Sequence, residues 1–154
     1  MPDVWSPWDE WVGSLPKVEQ DAALALRDRF EELGAEDPEG WARSEICENI
    51  PQLARFLILR SLRRETVDTW TLAGALKNAP AARRLLAAGA DQSDLLDLVQ
   101  DVVQDAIFAV LAVLDEGQDP EAPEGSPSWS LVEMGAGSTG QGRRIEGLHE
   151  DLHG

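Results

Sequence analysis

A run of 26 residues without proline or glycine, Asp91 to Glu116 (DQSDLLDLVQDVVQDAIFAVLAVLDE), sets the tightest limit on how this chain can fold. As one helix it is about 39 Å long. Its first half is two-sided: Leu95, Leu96, Leu98, Val99, Val102 and Val103 fall on one side of a 3.6-residue wheel, and Asp94, Asp97, Asp101 and Asp105 line the other. Its second half changes character, because Ala106 to Leu114 is apolar without a break. Such a run is too short to cross a bilayer and too apolar for an exposed face, so this half is expected to be enclosed and the helix to be the central pillar of the fold.

The remaining punctuation predicts more helices. Ser6-Pro7 and Ser14-Leu15-Pro16 are cap and first-turn signals, Gly34 is a stop, and Asp37-Pro38 opens another helix that Asn49-Ile50-Pro51 interrupts. Val18, Ala22, Leu26, Phe30 and Leu33 recur at helical spacing. From Gln52 to Leu76, Leu53, Phe56, Leu57, Ile58, Leu59, Leu62, Trp70 and Leu72 occupy nearly all sides of the wheel, with Arg55, Arg60, Arg63 and Arg64 at the margins. This predicts a second central helix. Pro80 to Ala88 is a short helix stopped by Gly89. After Glu116, the stretch GQDPEAPEGSPS has no large apolar residue and is a loop, and Trp129 to Met134 with Arg144 to Leu148 are suited to a small hairpin. To persist in water, that hairpin must dock on the helices through Trp129, Leu131 or Ile145. The expected fold is all-α: one domain of five to six helices in an orthogonal or bundle arrangement over residues 1–117, a Pro-rich acidic loop over 118–128, and a C-terminal hairpin or irregular tail over 129–154.

At 154 residues the chain can take roughly 70% of its unfolded surface out of water, so neither disulfide nor structural metal is needed to explain its stability. Cys47 is the only cysteine, and the start MPDVWSPWDEWV lacks the basic flank and apolar run of an export signal, so a reducing cytoplasm is the expected location. The net charge is −16, unevenly placed: residues 1–40 hold 11 acids and 3 bases, 41–90 hold 4 and 8, and 91–154 hold 14 and 2. This argues against nucleic acid or an anionic membrane as partner, since neutralising phosphates needs a surplus of cations, and in favour of a basic protein. Eleven arginines against two lysines and the absence of tyrosine also fit a coding bias, and an acidic surface also serves solubility.

Motifs with a chemical look are incomplete. His149-Glu150-Asp151-Leu152-His153 resembles the zinc metallopeptidase signature over five residues, but the chain holds no other histidine to serve as a third ligand. Gly135 to Gly140 has the G-x-G-x-x-G spacing of a dinucleotide loop, yet the 14 residues that follow leave no room for the helix and second strand that place a pyrophosphate. Glu45, Glu48, Glu65 and Asp68 form two E-x-x-E/D pairs that resemble those of all-helical nucleoside triphosphate pyrophosphatases, which implies magnesium held between two antiparallel helices. Here an apolar helix without a loop lies between the pairs and keeps them up to roughly 30 Å apart unless Pro51 folds the chain sharply.

The expected function is therefore that of a noncatalytic acidic protein, with no cofactor, that binds and neutralises a basic protein in the manner of an immunity protein, an inhibitor or a charge mimic. Asp94, Asp97, Asp101 and Asp105 are its candidate contact residues. Trp5, Trp8 and Trp11 are a second candidate surface, suited to docking into a larger assembly, although packing against the protein's own helices is the simpler use of them. The competing reading is a magnesium-dependent nucleotide hydrolase on Glu45, Glu48, Glu65 and Asp68. Arginines of the middle segment, such as Arg60, Arg63, Arg64, Arg83 and Arg84, are the internal groups able to cover the aspartates, and where they point decides between architecture and recognition.

Overall fold

The structure is a computed structural model that describes residues 6–72, 74–135 and 142–152. It is mostly helical, with six α-helices and a two-stranded antiparallel sheet among those residues. The chain forms two compact units, one of residues 1–56 with 132–145 and the other of 57–131 with 146–154. The division falls inside a helix, between Phe56 and Leu57, rather than at the Pro-rich loop.

The first unit is built from helices whose starts the sequence encodes locally. α1 (Pro7–Ser14) opens with a capping box: the Ser6 hydroxyl accepts from the Asp9 amide, and the Asp9 carboxylate accepts from the Ser6 amide. α2 (Lys17–Glu32) ends before Gly34, whose φ of 81° is the left-handed conformation a helix stop uses. α3 (Pro38–Glu48) is capped by Asp37, which accepts from the Gly40 amide at 2.9 Å. Its end is held by Asn49 at φ 53°, the single non-glycine residue with positive φ among those described. Ile50 and Pro51 then turn the chain into α4 (Gln52–Glu65).

These helices converge on aromatic rings. Phe30 is fully buried; it stacks on Trp41 at 5.9 Å between centroids and meets the edge of Phe56 at 5.6 Å, while Trp41 and Phe56 meet at 5.8 Å. Trp8, Val12, Ala23 and Ala42 complete the buried core, and α2 against α3 is its main helix pair. Val18, expected on the inner face of α2, is 81% exposed, because the buried stripe of that helix runs through Ala23 and Phe30.

The second unit holds the rest of α4, two 3₁₀ turns (Asp68–Thr71 and Ala75–Asn78), α5 (Pro80–Ala87) and α6 (Gln92–Glu116). The helix expected from Gln52 to Leu76 stops at Glu65 instead. Thr66 turns its hydroxyl back onto the Leu62 carbonyl, Thr66 and Val67 are β-branched, and Gly74 adopts φ 84°. Nor do leucines fill the buried face of α4: its buried residues are Gln52 and Arg55, with the Arg55 Nη1 donating to the Gln52 Oε1 at 2.9 Å.

α6 is one unbroken helix, as expected, but it is not enclosed. Its buried residues are Ile107 and Leu111, whereas Leu98, Val102, Val110 and Val113 are each 58–59% exposed and Phe108 is 40% exposed. Asp91 starts it by accepting from the Ser93 and Asp94 amides. Its far end is finished by the loop that follows. Gly117 takes φ 71°, the Trp129 amide donates to the Gly117 carbonyl at 2.8 Å, and the Trp129 indole N–H donates at 3.1 Å to the carbonyl of Val113, one of the orphan acceptors of the last turn. β1 (Leu131–Val132) and β2 (Arg144–Ile145) are shorter than the strands expected from the sequence, and Ile145 is buried.

Because Phe30 fills the centre of the aromatic cluster, Phe30→Ala is expected to cost about 3–5 kcal/mol in chemical denaturation, and the exposed Val18→Ala less than about 0.5 kcal/mol.

Candidate functional site

The described residues hold two polar constellations and one acidic surface. The first surrounds Glu45 on α3, which is 6% exposed. One carboxylate oxygen accepts from the Leu53 amide at 2.8 Å, in the first turn of α4, where amides lack helical partners. The other takes the Arg143 Nη2 at 2.6 Å. Arg143 also donates from Nε to Glu133 at 2.8 Å and from Nη1 to the Ile50 carbonyl at 3.3 Å, so its fork joins hairpin, α3 and the turn into α4. The hydrogen bond to Glu133 foremost, then that to Glu45, holds the guanidinium above its usual value, against the opposing effect of burial. A raised arginine contributes its stability fully up to the ordinary arginine range and loses it only at still higher pH. Arg143 is thus charged at every pH the protein meets. The hairpin can close this tightly because of Gly142: a Cβ there would sit 1.6 Å from the Glu133 carbonyl oxygen.

In this structure each acid of the two E-x-x-E/D pairs has a near polar or cationic neighbour. Glu45 is occupied by Arg143 and the α4 amide, Glu48 accepts from the Ser44 hydroxyl, Glu65 pairs with Arg64, and Asp68 lies 3.8 Å from Arg63. Helix α4 runs without a break between the two pairs. No group of three or more histidine, cysteine or acidic side chains among the described residues is arranged to hold a metal ion.

The second constellation is at the end of α6. Asp115, its side chain 8% exposed, accepts the His149 amide at 3.1 Å and pairs with the His149 Nδ1 at 2.6 Å; the same ring meets Phe108 edge-on at 5.4 Å. A carboxylate at a helix C-terminus opposes the helix dipole, and these donors offset that cost. His149 is thereby a tether between the chain's last turn and α6. His153, the other histidine of the H-E-x-x-H run, and Ala136 to Gly140 of the glycine-rich run lie outside the described residues.

The acidic surface is the outer side of α6. Asp94, Asp97, Asp101 and Asp105 are all exposed, and none forms an ion pair among the described residues. Cations do not cover them: Arg63 and Arg64 turn to Asp68 and Glu65, and Arg60, Arg83 and Arg84 are exposed without making an ion pair to the stripe. Of the tryptophans, Trp5 lies outside the described residues. Trp8 is buried and Trp11 half-buried, their rings 5.0 Å apart, with the Arg43 guanidinium 5.4 Å over Trp11. Trp8 belongs to the core of the first unit, and Trp11 packs against it.

Sequence reasoning missed Glu45–Arg143–Glu133 as a structural node and Asp115–His149 as a tether. Their partners lie 98, 10 and 34 residues apart, beyond the reach of any periodicity. Comparison with family models, with curated proteins and with solved structures finds no match for this chain.

Arg143→Met would leave the Glu45 carboxylate buried without its counter-charge, at an expected cost of about 3 kcal/mol in urea unfolding. The double variant with Glu45→Gln should cost less than the two single changes combined. Asp115→Ala is expected to cost about 1.5–3 kcal/mol and to speed amide exchange over residues 146–152, measured by hydrogen–deuterium exchange mass spectrometry.

Proposed function

We propose that this chain is a noncatalytic acidic protein that binds a basic protein partner and neutralises its charge, in the manner of an immunity protein, inhibitor or charge mimic. The observation that carries the reading is the row Asp94, Asp97, Asp101 and Asp105 on the solvent side of α6, uncompensated among the described residues. Like charges three and four residues apart destabilise a helix by about 0.2–0.5 kcal/mol per pair, and aspartate is a weak helix former in the interior. Only Asp94 stands in the first turn, where the helix dipole favours it. A cationic surface laid on this face would remove the repulsion, so that charge supplies orientation and association rate. The contrast with Glu45 supports the assignment, since the same chain pairs that acid internally with Arg143. No helix among the described residues is long and apolar enough to cross a membrane, and the exposed lone thiol of Cys47 fits a reducing cytoplasm as the place of action.

The test is association with the product of the neighbouring gene by isothermal calorimetry. Binding is expected at about 10 mM salt and to weaken steeply by about 150 mM, as the Debye length falls from about 30 to 8 Å. Replacing Asp97, Asp101 and Asp105 by Asn should reduce both the affinity and its salt dependence. Absence of binding at low salt, or binding indifferent to salt, would overturn the reading.

A further inference from the structure

The acidic row has an apolar neighbour on the same helix. Leu95, Val99, Val102, Ala106, Ala109 and Val113 follow one another at spacings of four, three, four, three and four, the 3.5-residue repeat of a helix seam made for another helix. Leu95 and Val99 are half-buried, and Val102, Ala106, Ala109 and Val113 are exposed. Leu98 and Val110, 58% and 59% exposed, widen the strip on either side. It is about 27 Å long. Asp105, Asp94 and Asp101 border one long edge, since each lies on the wheel next to Leu98 or Val102 rather than behind them.

We propose that this strip is the docking groove for one basic amphipathic helix of the partner. That helix would have its own leucine- or isoleucine-rich seam on the valines and its lysines or arginines over the aspartate edge. The proposal rests on the reading of a basic partner given above and names the form the partner takes at this face. Charge complementarity selects the occupant. From Gln92 to Glu116 the helix carries no lysine or arginine, so any helix seated here meets acid alone along the polar edge. A second copy of this chain would bring the same aspartates and another net charge of −16 to the interface. An anionic lipid surface would be repelled for the same reason. The composition of the seam also sets where the bulk must come from. Its first half offers Leu95, Val99 and Val102, whereas Ala106 and Ala109 are small and let a partner backbone approach, so larger side chains of the docked helix belong opposite the alanines.

The test uses the full chain and two fluorescein-labelled synthetic peptides of equal length and charge. One is a designed helix with leucine heptads flanked by lysine and arginine, and the other is the same residues scrambled to destroy the seam. Fluorescence anisotropy is expected to give at least tenfold tighter binding for the heptad peptide. Val102→Ser with Val113→Ser should lose that advantage without changing the melting temperature, because both side chains are exposed. Hydrogen exchange at residues 95–113 should slow when the heptad peptide binds. Equal, salt-sensitive binding of both peptides would sink the groove while leaving a charge-binding function standing. Binding of neither at low salt would sink both. Sedimentation showing a dimer that Val102→Ser with Val113→Ser dissociates would overturn the choice of occupant.

Discussion

The second unit is shaped by a mismatch between what α6 presents and what the chain has available to cover it. Apolar side chains occupy more than half of the helix circumference, and each exposed one forgoes the roughly 25 cal/mol per Å² that burial would contribute. The neighbouring pieces are short: two 3₁₀ turns and the eight-residue α5, followed after Gly117 by a stretch whose prolines and acids bring no large apolar residue. On one side of the helix Ile107 and Leu111 are buried. The valines on the opposite side, Val102 and Val113, stay exposed. The first unit shows the other outcome, with α1, α2, α3 and the start of α4 meeting around Phe30 and leaving few apolar groups wet.

Charge follows the same division. Where an acid is taken out of water, at Glu45, it has an arginine, a helix-start amide and a place in a hydrogen-bonded network, the conditions under which a buried carboxylate is tolerated. Asp115 is treated similarly through His149. The aspartates on the outer side of α6 have water alone. The chain therefore has the means to pair its acids and does not use them on that face, although Arg83 and Arg84 on α5 and Arg60 on α4 belong to the same unit.

Much of the fold was legible in the sequence because it is encoded locally. Ser6-Pro7, Asp37-Pro38, Asp91, Gly34 and Gly117 act within a few residues of themselves, and each stands where a helix begins or ends. What stayed hidden depends on partners far along the chain. Periodicity identifies which face of α6 is apolar but cannot say whether another element arrives to cover it, so Val110 and Val113 were expected inside and are outside. In α4 the apolar residues cover so much of the wheel that they define no face, and the buried positions fall to Gln52 and Arg55. For Glu45, a spacing of three to Glu48 suggested a metal pair, while the group that engages it stands 98 residues downstream.

That separation bears on how the molecule is made. The first unit is discontinuous: residues to Phe56 come first, and the hairpin carrying Arg143 follows only after residues 57–131 of the second unit have been synthesised. At about 5–20 residues per second, a ribosome needs several seconds or more to pass from Glu45 to Arg143. Throughout that interval the Glu45 carboxylate lacks the Arg143 guanidinium that engages it in the finished structure. The return of the hairpin supplies that contact, so the last polar link of the first unit can close only late in synthesis.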